Sequence, residues 1–224
     1  MITIQIDWQA FWTPIRLSLQ IAFLSSMITI VVGVVVAWWM SKRQFRGKVW
    51  LETLFMLPIV LPPTVVGFIL LIALGRKSWL GQGIEWFFSA PIIFSWWAAV
   101  IAAIVVSFPL VYQTMKVGLS SIDHDLEDVS RSMGANEWQV FRYITLPLAS
   151  RSLVTAYILG FARGLGEFGA TLMIAGNIPG KTQTIPTAIY VAVDSGNMNM
   201  AWAWTLTMIL ISFLLLLLTG RRKQ

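Results

Sequence analysis

Two oppositely charged residues, Arg163 and Glu167, lie inside a long apolar stretch of the chain. Their separation of four positions places both side chains on one face of a helix. An unpaired charge at the centre of a bilayer costs roughly 2.5–3.5 kcal/mol, so each of these residues needs a partner. The spacing therefore allows an ion pair that fixes helix packing, or charged groups that face a polar path or a subunit interface.

The residue types on which most enzymes rely are nearly absent. The sequence contains no cysteine and one histidine, His124, which excludes disulfides, thiolate metal sites and thiol catalysis. An intramembrane enzyme would need a nucleophile with its base, or a set of metal ligands, and one histidine supplies neither. No Gly-x-x-x-x-Gly-Lys-Ser/Thr phosphate loop is present. We therefore expect no catalytic, cofactor or metal site on this chain, and no ATP hydrolysis by it.

The composition is that of an integral membrane protein. Of the 224 residues, 57% are hydrophobic and 12% are charged, and the mean hydropathy is +0.75. The net charge of +6 does not indicate nucleic-acid binding, because the basic residues stand between apolar stretches and do not cover one face. Runs of about 20 apolar residues predict one all-α membrane domain over residues 1–224 with about five transmembrane helices. The predicted spans lie near 17–40, 51–74, 91–115, 152–175 and 201–219.

The basic residues between the spans predict the orientation of the chain. Loops rich in Lys and Arg face the cytoplasm, and one side holds most of these residues while the other holds only Arg76, Lys77 and Lys181. We therefore expect the N-terminus outside and the C-terminus in the cytoplasm. No basic residue precedes Arg16, unlike in a cleaved signal peptide, so we expect the first helix to be retained. The predicted cytoplasmic residues are Lys42, Arg43, Arg46, Lys48, Lys116, Arg131, Arg142, Arg151, Arg221, Arg222 and Lys223.

The predicted cytoplasmic loop 116–151 is longer than a connection between two spans requires. Its first part predicts an amphipathic helix, which glycine at position 134 should end because glycine enters the left-handed conformation without steric cost. Asn136, with Gln139 three residues later, predicts a capping box that begins a second helix. The apolar stripe of the first helix consists of Ile122, Leu126, Val129 and Met133.

Two interpretations of this helical pair follow from the pattern: a structure lying on the membrane surface, or a docking surface for a partner. A DNA-binding helix-turn-helix is disfavoured, because the first helix is acidic and no basic recognition face is present.

The order of residues in this loop resembles the signature of ABC importer permeases, Glu-Ala-Ala, then Gly, then Ile-x-Leu-Pro. Asp128-Val129-Ser130 stands where the family has Glu-Ala-Ala. In that family the loop forms a coupling helix that sits in a groove of the ATPase subunit. The resemblance therefore implies an ATPase-coupling role for Asp128, Gly134, Ile144, Leu146 and Pro147.

A second set of segments looks like molybdate ABC transporter permeases. It comprises Arg-Gly-Leu-Gly-Glu-Phe-Gly-Ala at 163–170, the segment 177–190, and the proline-rich segment 56–67 in span two. Sulfate permeases share the Gly-Glu-Phe/Tyr-Gly core, so the molybdate assignment rests mainly on 177–190.

The resemblance implies a type I ABC importer permease fold in the bacterial cytoplasmic membrane, in which two copies of the chain form the pore. A cytoplasmic ABC ATPase dimer, holding ATP and Mg, would power transport, and an extracytoplasmic binding protein would deliver molybdate. Sulfate and tungstate are alternative cargoes. An ion-coupled secondary transporter is less favoured, because it would predict inverted repeats and several ionisable residues at mid-membrane.

Candidate path residues follow from the same interpretation. The prolines of span two should bend or break that helix, which membrane proteins tolerate next to protein or a water-filled cavity. A transported oxyanion needs hydrogen-bond donors that still permit release. An acidic group would repel such a cargo, so we expect Glu167 to be the structural partner of Arg163. Residues for the path or for helix packing are Pro62, Pro63, Arg163, Gly166, Glu167 and Gly169, and donor-bearing candidates are Thr64, Thr171, Asn177, Lys181, Thr182 and Thr184.

Overall fold

The structure is a computed structural model that describes residues 8–220. Every regular element in that range is helical. The helices are α1 (Trp8–Lys42), α2 (Lys48–Val60), α3 (Pro63–Leu74), α4 (Trp79–Phe88), α5 (Trp96–Ser120), α6 (His124–Ser132), α7 (Glu137–Val140), a π-helical turn (Phe141–Thr145), α8 (Leu146–Leu148), α9 (Ser150–Leu165), α10 (Gly169–Ala175), α11 (Ile185–Asp194) and α12 (Met198–Gly220).

Three of the described helices, α1, α5 and α12, are long and apolar enough to cross a membrane on their own. With 35 residues, α1 is about 52 Å long and exceeds the hydrocarbon thickness of roughly 30 Å. Two bent helix pairs, α2 with α3 and residues 137–148 with α9, bring the number of candidate spans to five, as the sequence predicts, although residues 137–148 belong to the predicted cytoplasmic loop.

The second predicted span is broken where its prolines stand. The chain bends by 115° between α2 and α3, around Leu61 and Pro62. Pro63 occupies the first turn of α3, where the missing N–H costs no hydrogen bond. The position of the prolines thus explains why residues 51–74 do not form one straight helix.

The remaining boundaries differ from the sequence predictions in three places. The predicted span 152–175 is divided between α9 and α10 by residues 166–168. Helix α5 continues through Ser120, so residues 116–120 belong to this helix and shorten the cytoplasmic loop. Helices α4 and α11 were not predicted, because each has only 10 residues and is too short for a span.

Small residues allow α1, α5 and α9 to pack closely. A Cβ at Gly33 would lie 2.8 Å from Cγ1 of Val111, and one at Gly160 would lie 2.7 Å from Cγ2 of the same residue. Gly164, four residues after Gly160, faces Ser25 of α1. The pair Gly160 and Gly164 thus lies at close helix contacts, as small residues do in membrane interfaces.

Candidate coupling surface and transport path

Local hydrogen bonds shape the loop between α5 and α9 as its sequence predicts. The N–H of Asp125 donates to Oδ1 of Asp123 at 3.0 Å, which caps α6. Gly134 follows α6 with φ +91, and no atom lies within 4 Å of where its Cβ would be, so the backbone conformation alone requires glycine. Asn136 and Gln139 form the predicted capping box of α7.

Three of the four residues in the predicted apolar stripe face away from the rest of the protein, whereas Ile122, before α6, packs on the core. The exposed fractions of Leu126, Val129 and Met133 are 49%, 60% and 84%. Trp138 of α7 adds a further exposed aromatic ring at 59%. An apolar face of this kind on an otherwise charged helix is typical of a docking surface.

Glu127 holds this surface against the end of α1. Its carboxylate is buried, accepts a hydrogen bond from Lys42 at the last turn of α1, and accepts another from Oγ1 of Thr145 at 2.7 Å. Arg131 donates to the same carboxylate at 3.2 Å and to Glu137 at 2.6 Å. The network ties α1, α6, α7 and the π-helical turn into one unit.

The electrostatics of this network favour the ionised states of Glu127, Glu137 and Arg131. Burial by itself raises the pKa of Glu127, but the hydrogen bonds from Lys42 and Thr145 and the charge of Lys42 outweigh burial and hold that pKa below its ordinary value. The hydrogen bond from Arg131 lowers the pKa of Glu137, and the hydrogen bond to Glu137 raises the pKa of Arg131.

The other predicted coupling residues lie around the same network. Asp128 is exposed and accepts a hydrogen bond from Arg131 at 2.6 Å. Ile144 lies in the π-helical turn, while Leu146 and Pro147 begin α8, with Leu146 packed on the core formed by α1 and α5. The structure therefore brings the predicted coupling residues into one loop.

Arg163 and Glu167 form the ion pair that their spacing predicts. Nη1 of Arg163 donates to Oε2 of Glu167 at 2.7 Å. The second carboxylate oxygen of Glu167 accepts the backbone N–H of Ala170 at 2.8 Å, so Glu167 also caps the start of α10. Glu167 is buried and Arg163 is half-buried. The pair thus fixes the break between α9 and α10.

The two broken spans cross at their breaks. A Cβ at Gly169 would lie 3.2 Å from Cβ of Pro63 and 3.2 Å from the backbone of Thr64. One turn further along α3, a Cβ at Gly67 would lie 2.7 Å from Cα of Ala170. Among the predicted path residues, Pro62, Thr64 and Gly166 are exposed on the protomer surface.

The predicted donors in and near the outer loop differ in their burial and in their hydrogen bonds. Oγ1 of Thr182 accepts the N–H of Ile178 at 3.0 Å, and Thr184 forms a capping box with Thr187 at the start of α11. Thr171 is buried in α10, and Lys181 is exposed. Oδ1 of Asn177 is buried and has no hydrogen-bond partner among the described residues.

Comparison with known proteins identifies the family. Residues 29–221 match the family described as binding-protein-dependent transport system inner membrane component. The chain belongs to this family. The permease is 53% identical over 95% of its length to a putative molybdenum transport system permease protein of Bacillus subtilis, with 94% of that protein covered. It is 41% identical to the molybdenum transport system permease protein of Escherichia coli K12, with 82% of this chain and 80% of that one covered.

A sulfate transport system permease protein of Synechococcus elongatus is more distant than these relatives, at 37% identity over 77% of the permease and 60% of the relative. Among solved structures, a bacterial ABC transporter that imports alginate matches with a TM-score of 0.74 at 14% identity, covering 98% of the permease and 84% of the matched chain. The permease therefore has the type I ABC importer permease fold that the sequence predicts.

Sequence reasoning missed Glu127, the central residue of the hydrogen-bond network in this loop. In the sequence Glu127 stands beside Asp128 in an acidic stretch, and residue type alone does not show which of the two carboxylates is buried. One signal was available: Glu127 follows Leu126 and precedes Arg131 by four positions, the spacing of a helical ion pair. Its decisive partner, Lys42, lies 85 positions away in the sequence.

Proposed function

We propose that the permease is the membrane subunit of an ATP-driven molybdate importer, in which two copies of the chain form the translocation path. A separate cytoplasmic ABC ATPase dimer binds ATP and Mg and hydrolyses ATP, and an extracytoplasmic binding protein delivers the anion. The chain itself binds lipid and these proteins but no nucleic acid.

The observation that carries this proposal is the exposed apolar face of α6, held rigidly to α1 through buried Glu127. A rigid contact transmits force from a docked ATPase, because displacement of α6 must displace the end of the 35-residue α1 with it. In the proposed cycle, closure of the ATPases on ATP moves α6, and the spans then open outward to accept the anion.

Molybdate is the cargo that the relatives favour. The proteins at 53% and 41% identity are named for molybdenum transport, whereas the sulfate permease is less similar to this chain. Tungstate and sulfate have the same tetrahedral shape and charge as molybdate, so the binding protein contributes most of the selection among them.

The proposed location is the bacterial cytoplasmic membrane, with the N-terminus outside and the C-terminus in the cytoplasm. Helix ends that carry Lys42, Lys116 and Arg151 gather at the end of the protein that holds α6, which supports this orientation. Arg221, Arg222 and Lys223, which also entered the prediction, lie outside the described residues.

Uptake of labelled molybdate by vesicles that contain the permease, its ATPase and its binding protein tests the proposal. We expect uptake that requires ATP and persists in excess sulfate. Uptake that sulfate abolishes would assign sulfate as the cargo. Uptake that follows an ion gradient without the ATPase would instead indicate a secondary transporter.

A further inference from the structure

A groove of about 410 Å³ lies between the cytoplasmic halves of α5 and α9. The two helices touch at its floor, where a Cβ at Gly118 would lie 2.2 Å from Cβ of Ser152. Val117 on its α5 wall is 59% exposed. The groove is therefore an open surface feature of the protomer, built on a rigid helix contact.

Hydrogen-bond donors line this groove. The side-chain donors of Gln113, Arg151 and Ser152 have no acceptor among residues 8–220, and no carboxylate in that range pairs with Arg151. By contrast, the hydroxyls of Thr114 and Thr155 donate to carbonyls of their own helices at 2.8 and 3.0 Å. The groove thus offers one positive charge, one amide and one hydroxyl, with no acid among its lining residues.

The contacts of α5 with α2 and α9 fix where the groove lies. Helix α9 forms one wall, and α2 packs on a neighbouring face of α5 through Phe55 against Tyr112 and Glu52 against Lys116. Successive residues of a helix are 100° apart, so Gln113 lies 100° around α5 from Tyr112, and Val117 lies 100° around it from Lys116. The groove therefore opens on the face of α5 between α2 and α9, the first helices of the two interrupted spans that carry predicted path residues.

We propose that this groove is a binding site for a tetrahedral oxyanion on the cytoplasmic half of the transport path, where Arg151, Gln113 and Ser152 donate hydrogen bonds to the anion. The inference rests on the proposed function for the direction of transport. A single guanidinium with two neutral donors suits an exit site, since conduction needs binding weak enough for release. No acidic side chain in the groove repels the anion.

The absence of cysteine from the sequence makes a direct test possible. In the permease–ATPase complex, held without nucleotide in lipid nanodiscs, Val117→Cys places one thiol in the groove without removing a proposed donor. We expect a negatively charged methanethiosulfonate reagent to modify this thiol, and millimolar molybdate to slow the reaction several-fold. Ile209→Cys, on the exposed apolar face of α12, is the matched control and should not react.

The donor role of Arg151 is tested in the Val117→Cys background. Arg151→Gln should weaken protection by molybdate about tenfold, because it removes a charge-assisted hydrogen bond, whereas Arg151→Lys should retain most of the protection. Co-purification of the ATPase with each variant confirms that folding is intact.

Three outcomes would overturn the inference: no reaction of the thiol in the Val117→Cys variant, reaction without protection by any tetrahedral oxyanion, or protection that depends on phosphatidylglycerol in the nanodisc and not on added anion. The last result would assign the groove to a lipid headgroup. Molybdate uptake by the wild-type protein distinguishes failure of the groove proposal from failure of the proposed function. Molybdate uptake without protection refutes the groove alone, whereas protection by sulfate without molybdate uptake supports the groove and refutes the cargo.

Discussion

At the scale of single residues, we expect the proposed coupling surface to depend on the buried carboxylate of Glu127. Glu127→Gln removes the charge and leaves Lys42 and Arg131 with a weaker acceptor. Breaking a buried pair by removing one partner costs on the order of 3 kcal/mol, so we expect a lower unfolding temperature in detergent and weaker co-purification of the ATPase.

The matched control for this substitution is Asp125→Asn, which changes an exposed acid on the same helix. Its effect should remain within about 0.5 kcal/mol, the usual range for surface substitutions. Equal effects of the two substitutions would contradict the central role of Glu127.

The lowered pKa of Glu127 gives the coupling loop a defined dependence on pH. Because the folded protein favours the carboxylate, the stabilisation is fully present above the ordinary carboxyl pKa of about 4.3 and is lost as the pH falls through the lower folded value. Hydrogen exchange of α6 should therefore be constant between pH 6 and 8, after correction for intrinsic rates, and increase only in acid. Glu127→Gln should show little additional increase in acid, and an identical acid response in both proteins would exclude Glu127 as the source.

Residue type alone predicts features whose causes are local. The left-handed Gly134 and the capping box of Asn136 and Gln139 need only neighbours within a few positions, and the structure confirms both. The pairing of Arg163 with Glu167 follows equally from helical spacing and the cost of an unpaired charge. The burial of Glu127 is not predictable in this way, because it depends on contact with the distant end of α1.

At the scale of elements, the turn after α6 tests whether backbone geometry sets the angle of the docking surface. Gly134→Ala introduces no clash, but its φ of +91 is strained for an L residue, at roughly 1–2 kcal/mol. We expect weaker ATPase co-purification with normal membrane insertion. Gly134→Asn should retain more binding, since asparagine tolerates left-handed conformations better, and unchanged binding in the alanine variant would contradict a role for this turn.

The crossing of α3 and α10 makes a second prediction at this scale. In Gly67→Ala the new Cβ would lie 2.7 Å from Cα and 2.8 Å from the carbonyl oxygen of Ala170, so backbone must move. Overpacking of this kind typically costs about 1–3 kcal/mol, and we expect a lower unfolding temperature and reduced uptake. Gly83→Ala in α4, where nothing lies within 4 Å, is the control and should be neutral or slightly stabilising. Similar losses in both variants would show that the crossing is not tightly packed.

Hydropathy predicts long helices better than short ones for a physical reason. A helix that crosses a bilayer requires about 20 apolar residues in a row, and the sequences of α1, α5 and α12 meet that requirement. Helix α11 is stabilised instead by tertiary contacts: the N–H of Ile185 donates to Oγ of Ser18 in α1, and Ile185 and Ala188 share a buried cluster with Trp204 of α12. Its capping box at Thr184 and Thr187, with Pro186 in the first turn, was the available sequence signal.

At the scale of the whole molecule, the distribution of basic residues predicts which face meets the cytoplasm. The exposed turn that contains Lys181 lies before α11, and Ser132 ends α6 at the opposite end of the protein. Because the chain has no cysteine, Lys181→Cys and Ser132→Cys each provide a single reporter. In intact cells a membrane-impermeant maleimide should label position 181, and it should label position 132 only after the membrane is permeabilised.

The reverse labelling pattern would place α6 outside, where no ATP is available and the proposed ATPase contact is impossible. Such a result would overturn the importer proposal without altering the fold, because each helix contact described above is independent of the direction in which the bundle is inserted. The predicted pattern, in contrast, would place the exposed apolar face of α6, the Glu127 network and the mouth of the groove at Arg151 on the same side as the ATPase. Coupling and release of the anion would then occur at one end of the protein, so that ATP-driven movement of α6 acts directly on the helices that form the groove.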